Sequence, residues 1–252
     1  MHKYQFEVFT SPCEVILYDI AKPKADTLAS SILKTSKHLE QKYNFYDKHS
    51  YLSALNSRKE HHLDLQTKEV LKETRELYKL TDGVFDISVG TLKKNFHEDL
   101  KQFVGIEHWE IKKDKLVFDN PHTQLDLGGV IKEYAVDRAA MFLRKSKVKS
   151  ALINFGGDLY ALGAKPDGQA FSIAIKDPAN PTQKFTSISI SNSALTTSAH
   201  YERVGHIIGD KSDILSSTVY GDKTLWCGAF STAYLIKSNL LLPKRYRVLN
   251  IS

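Results

Sequence analysis

The 252-residue sequence predicts an α+β fold, a single domain of substantially antiparallel sheets with packed helices. Strand-like segments do not alternate evenly with helices, so a doubly wound parallel sheet is not the natural reading. Short strands in the second half follow one another with only turns between them. No internal repeat, low-complexity tract or clear linker divides the chain, so residues 1–252 read as one domain.

Taken in order, Cys13–Ile20 is β-branched and apolar enough for a strand. After Pro23, the residues Ala25, Leu28, Ile32, Leu39 and Tyr43 recur at helical spacings. A second helix is expected over Thr67–Leu80, with Val70, Thr74 and Leu77 on one face, ended by Thr81-Asp82-Gly83. Lys115–Phe118 reads as a short strand. Val130–Leu143 reads as a strong helix. Strands follow near 151–154, 160–163 and 171–175. Asp177–Pro181 is a loop, because prolines cannot sit in a central ladder. Further strands are expected over 186–190, 204–208 and 214–219, and a last helix from Trp226 to about Leu240.

The composition is ordinary for a folded protein, 42% hydrophobic and 25% charged, with a formal net charge of +6. That excess favours anionic ligands in general. The basic residues are spread out rather than gathered into a patch, which argues against nucleic acid. Cys13 and Cys227 form no CxxC or zinc pattern and read as small buried hydrophobes. No apolar leader, lipid-anchor context or run of 18 apolar residues is evident, so the expected location is cytoplasmic, with no membrane span.

Four clusters carry chemistry. In Leu125–Asp137, Gly128 and Gly129 stand where a helix should start. Glycine lets backbone amides approach a ligand closely, and unpaired N–H groups at a helix start favour a pyrophosphate. Lys132 would add a charged contact, and Asp137 would accept from a ribose or ring N–H. The plainer alternative makes Asp126 a helix cap and Lys132 solvated. In Ile153–Tyr160, Asn154 and Asp158 flank Gly156-Gly157, which is also a plain hairpin turn. In Leu195–Ile208, Thr197 and Ser198 offer hydroxyls and Arg203 a cation. His206 there is either an inward structural histidine or a group able to move a proton near neutrality. In Gly228–Tyr234, Thr232 offers a hydroxyl to a metal, or small residues simply let the helix pack closely.

Together these segments resemble the FAD:protein FMN transferase (ApbE) family over nearly the whole chain. YDKHSYLSALN (46–56) is similar to the family's early segment around the flavin. GVFDISVG (83–90) looks like its G-x-F-D segment, and LDLGGVIKEYAVD (125–137) like LDLGGIAKGYAVD. INFGGDLYALG (153–163), TTSAHYER (196–203) and HII (206–208) follow in the family order. The resemblance implies an ApbE-like flavin transferase fold. It also implies FAD as ligand and transfer of the FMN half of FAD to a threonine of an acceptor protein, with AMP released. It places Tyr46, Ser50, Asn56, Phe85, Asp86, Asp126, Gly128, Gly129, Lys132 and Asp137 around the cofactor. From the later segments it adds Asn154, Gly156, Gly157, Asp158, Thr197, Ser198, Arg203 and His206. His206 and Thr232 are the implied catalytic groups. Magnesium is implied beside the pyrophosphate, held by Thr232 and a main-chain carbonyl at Gly129.

The chain departs from the family pattern at Gly228, where the metal-binding aspartate is expected. Glu133 replaces the usual glycine after Lys132, Ala199 the glycine before Tyr-Glu-Arg, and the Asp-Pro after HII is missing. Asp210, Asp213 and Asp222 are candidates for a replacement carboxylate. Two functions follow: a divergent FMN transferase, or an FAD-binding protein of the same fold without transferase activity, serving as sensor, carrier or assembly partner.

Overall fold

The computed structural model describes residues 1–93, 97–199 and 212–252. Among them, in chain order, are β1 (His2–Val8), β2 (Ser11–Leu17), α1 (Lys22–Lys42), α2 (Tyr51–Asn56), α3 (Leu65–Leu80) and α4 (Gly90–Lys93). Then come β3 (Trp109–Lys112), β4 (Lys115–Phe118), α5 (Ile131–Lys145), β5 (Ala151–Phe155), β6 (Asp158–Leu162), β7 (Phe171–Lys176) and β8 (Lys184–Ile190). β9 (Ser193–Ala199), β10 (Ser216–Gly221), α6 (Thr224–Tyr234) and β11 (Arg247–Ile251) complete the set. The chain divides into two compact units, the larger formed by Met1–Glu40 and Lys132–Ser252, the smaller by Gln41–Ile131.

The larger unit is organised by a seven-stranded sheet in the order β1-β2-β5-β6-β9-β10-β11. Every neighbouring pair in it is antiparallel, as the irregular alternation of elements predicts. All five residues of β6 are buried, so both faces of that strand are covered. Leu159 and Ala161 pack with Phe171, Ile175 and Ile190 of the β7–β8 hairpin. Side chains alternate along a strand, so Asp158, Tyr160 and Leu162 point to the opposite face. The Arg144 guanidinium of α5 donates to the Tyr160 hydroxyl at 2.9 Å on that face. α6 packs across β9 and β10. Its apolar residues Leu225, Ala229, Phe230 and Ala233 are almost fully buried, each large one contributing roughly 1.5–3 kcal/mol of burial.

The β5–β6 connection is a two-residue turn, Phe155 pairing with Asp158 around Gly156 (φ +59°) and Gly157 (φ +97°). Positive φ at both central positions is what a tight hairpin matching strand twist demands, and glycine meets it without strain. Cys13 and Cys227 are both buried and unpaired. No helix among the described residues is long and apolar enough to cross a membrane.

In the smaller unit, Asp64 caps α3 by accepting from the Thr67 N–H at 2.8 Å. The helix ends at Leu80, and the Gly83 N–H (φ +79°) closes the last turn onto the Tyr78 carbonyl at 2.8 Å. β3 and β4 form a separate hairpin. Asn56, at the end of α2, is buried and clamps the 125–126 segment from both sides. Its amide donates to the Leu125 carbonyl at 2.8 Å and its Oδ1 accepts from the Leu125 N–H at 2.8 Å.

Several boundaries differ from the sequence reading. The first expected strand begins earlier, at Ser11, and stops at Leu17. The last helix is Thr224–Tyr234 rather than 226–240. It ends early because the chain turns back after Tyr234, whose hydroxyl donates to the Leu240 carbonyl at 2.7 Å. β1, β3, β9 and β11 are strands that pattern reading did not assign. In β9 the threonines and serines read as ligand-lining hydroxyls, but β-branched threonine also suits a pleated strand. The expected strand 204–208 lies outside the described residues.

Replacing Asn56 with alanine strands one buried N–H and one buried C=O of Leu125. Asn56→Ala is expected to cost about 2–3 kcal/mol, read as a lower urea midpoint with little change in slope. A midpoint equal to the parent's would mean that the clamp contributes nothing to stability.

Candidate functional site

The chemistry-bearing side chains of the larger unit gather on the helical face of β6 and at the facing ends of α5 and α6. Asp158, first residue of β6, is buried, and its Oδ2 lies 2.8 Å from the Lys132 ammonium. Lys132 also lies over the glycine turn: a Cβ placed on Gly156 would be 3.5 Å from its Nζ and 2.8 Å from the Ser11 Cβ. Beside Gly157, by contrast, the space is open. Asn154 accepts from the Gly157 N–H at 2.9 Å, holding the turn from within.

Glu133 follows Lys132 on α5 and is also buried. Its Oε2 has no hydrogen-bond partner. Burial first, and the neighbouring Asp158 carboxylate second, push the Glu133 carboxyl well above the usual range. A Cβ built on Gly228 of α6 would fall 2.7 Å from the Glu133 Cγ. Glycine in a helix costs about 1 kcal/mol relative to alanine; here it leaves room for the stem of a glutamate.

One turn along α5, Asp137 meets the start of α6. Its two carboxylate oxygens accept from the Thr224 N–H at 2.8 Å and the Leu225 N–H at 3.0 Å. Residues four apart share a helix face, so Glu133 and Asp137 meet α6 at 228 and 224 respectively. The acceptor role read for Asp137 from the sequence is therefore taken by backbone donors of α6, which is why that helix starts at Thr224. Burial raises the Asp137 carboxyl from 3.8 to about 6, against the pull of those two donors.

Further along α6, Ser231 donates back to the Gly228 carbonyl at 3.0 Å, and its Oγ lies 2.8 Å from the Ser198 Oγ. Thr232 Oγ1 is 3.2 Å from Ser198 Oγ. Thr197 does not join this group. It is the neighbour of Ser198 on β9 and faces the other side of the sheet, where its hydroxyl meets that of Thr218 at 2.8 Å. The two adjacent hydroxyls that the sequence offered as one lining point in opposite directions.

In the smaller unit, Asp126 is buried, accepts from the Gly128 N–H at 2.8 Å and pairs with the Lys93 ammonium. Asp126 thus closes a local turn ahead of the helix, which begins only at Ile131, rather than capping the helix itself, and Lys93 is an unforeseen partner. A Cβ on Gly129 would rest 3.5 Å from the Phe85 ring. Asp86 accepts from the Ser88 N–H at 2.8 Å and the Ser88 hydroxyl at 2.7 Å, and burial raises its carboxyl. Ser50 caps α2 by accepting from the Ser53 N–H at 3.0 Å and donates to the Asn44 carbonyl at 2.7 Å. Ser50 and Asn56 thus hold backbone. Tyr46 is 72% exposed, its ring edge-on to Phe45.

Arg203, His206 and Asp210 lie outside the described residues. Of the other candidates for a replacement carboxylate, Asp213 is exposed and Asp222 pairs with Arg245 at 3.3 Å. Glu133, which the sequence showed only as a departure from the pattern, is the carboxylate beside Gly228. The available signal was the paired change itself: an acid gained at 133 and an acid absent at 228. No group of three or more His, Cys, Asp or Glu able to hold a metal occurs among the described residues.

A family model described as the ApbE family matches residues 9–240. The FAD:protein FMN transferase of Vibrio cholerae is 29% identical over 171 residues, covering 60% of this chain and 51% of that protein. That of Chlamydia pneumoniae is 30% identical over 172 residues, covering 61% and 54%. The chain thus spans about half the length of the curated relatives it matches. The crystal structure of an ApbE protein from Thermotoga maritima superposes with a TM-score of 0.80 at 23% identity, over 94% of this chain and 87% of that one.

Two outcomes are expected. Gly228→Ala, ordinarily stabilising in a helix, should destabilise by about 1–3 kcal/mol through overpacking on Glu133, and the loss should vanish in a Glu133→Ala background. Urea midpoints of the two single variants and the double variant decide it. Between pH 4 and 6 the folded Asp137 keeps a proton that the unfolded chain has lost. Its contribution to stability therefore falls as pH rises through that window and is level above it. Asp137→Asn should flatten this part of the stability profile, and an unchanged slope would assign it to other groups.

Proposed function

We propose, on the premise that the chain belongs to the ApbE family, that it is an FAD:protein FMN transferase. Residues 1–252 act as one flavin-binding domain. The substrate is FAD, and the acceptor is a threonine hydroxyl of another protein. The acceptor oxygen forms a bond to the FMN phosphorus as the bridging bond of the pyrophosphate breaks. AMP leaves with the bridging oxygen, and the hydroxyl proton passes to a base. His206 is assigned that proton by the family motif.

The observation that carries this reading is the β5–β6 turn. Backbone at Gly157 borders open space, while Lys132, held by Asp158, stands over the adjoining Gly156. A pyrophosphate suits such a place, since it needs close backbone approach and a fixed cation. Phosphoryl transfer depends chiefly on positioning and on offsetting charge. The resident ion proposed is magnesium, which favours hard oxygen donors. The larger unit fits it: Thr232 offers a hydroxyl, and Glu133 a buried oxygen without a partner. Bound there, the ion would offset charge on the pyrophosphate and on departing AMP. Lys132 holds phosphate charge, Ser198 orients the Thr232 hydroxyl, and Asp137 secures the start of α6. The remaining family-assigned contacts, Arg203 among them, rest on sequence motifs.

A second reading is favoured by one observation: α6 carries glycine at 228. A chain that binds FAD without cleaving it would show bound flavin whose retention is independent of magnesium.

The test incubates the protein with FAD, magnesium and candidate acceptors, followed by intact-mass spectrometry and nucleotide chromatography. A covalent FMN adduct with equal release of AMP is expected. Lys132→Ala should lower the rate by about a hundredfold, the order of loss seen when one charge-stabilising contact is removed. Bound FAD recovered uncleaved with every acceptor would favour the second reading.

A further inference from the structure

Two carboxyls and one ammonium occupy the base of β6. Glu133 is 7% exposed and Asp158 is 4% exposed. With both acids ionised, one Lys132 leaves an excess negative charge where desolvation costs several kcal/mol per ion. Two acceptor groups facing each other are reconciled either by a shared proton or by a cation. Glu133 and Asp158 are neighbours, and the single Lys132 ammonium pairs with Asp158. Yet Glu133 Oε2 still lacks a partner. The glutamate stem also occupies the volume that any side chain at 228 would need. On the same face of α6, three and four residues beyond Gly228, Ser231 and Thr232 add neutral oxygens linked to Ser198.

We infer that Glu133 and Asp158 are the carboxylate ligands of a divalent cation, the acid absent from α6 being supplied by α5. The ion is a hard one of the magnesium or manganese kind, for which carboxylate and hydroxyl oxygens are the natural donors. This deepens the transferase reading and rests on it for the ion's task, while binding itself can be measured apart from the reaction.

The experiment titrates Mn2+ into the full chain without FAD or acceptor, following free Mn2+ by electron paramagnetic resonance, with Mg2+ as competitor. One site per chain is expected, and Glu133→Gln and Asp158→Asn should each weaken it on the order of tenfold or more. The exchange variant Glu133→Gly with Gly228→Asp moves the carboxylate back to α6 and should bind within a few-fold of the parent. That exchange decides the matter if Glu133→Gln fails to fold: binding retained supports the site, and binding lost overturns it. No binding by the folded parent up to millimolar Mn2+, or undiminished binding in folded Glu133→Gln, also overturns it. A chain that binds Mn2+ but never releases AMP defeats the transferase reading and leaves the ion site standing.

Discussion

Lys132, Glu133 and Asp158 gather one base and two acids at the buried start of a central strand. Charge in such a place cannot stay unbalanced, because water is not there to solvate it. The neighbouring structure follows from that constraint. Position 228 has no side chain, because the glutamate occupies the space. α5 and α6 approach closely there, and Asp137 one turn away secures the contact by accepting from the first N–H groups of α6.

The same constraint links fold to function. A phosphate-binding place needs backbone that comes near and a cation that stays put. The Gly156-Gly157 turn meets the first need through its positive φ angles, and the Asp158–Lys132 pair meets the second. The hairpin and the ion pair depend on each other, since the turn begins β6 at Asp158 and so sets which face of the sheet the acid takes. In the smaller unit a comparable economy holds, with Asn56, Asp86 and Asp126 each spending polar atoms on local backbone. An FMN transferase assembled this way would rely on placed charge rather than on a reactive nucleophile of its own.

Much of this was legible in the residues because it is local. The glycine pair at 156–157, the helix end at Thr81-Asp82-Gly83 and the apolar periodicity of α1 and α3 depend on neighbours a few positions away. What was not legible needs partners far along the chain. Asp137 reads as a free acceptor until α6, some 87 positions on, is brought to it. Thr197 and Ser198 read as one hydroxyl pair until β9 is seen to be a strand, whose pleat turns them to opposite faces.

The sequence by itself determined the fold class, the run of family motifs and the two glycine turns, since hydrophobic period and backbone freedom are properties of short segments. Only the tertiary structure decided where the carboxylate beside position 228 comes from. Two departures 95 positions apart, an acid gained at Glu133 and an acid absent at Gly228, look unrelated along the chain. They answer each other because two helices pack so closely that one volume, and one charge, is shared between them.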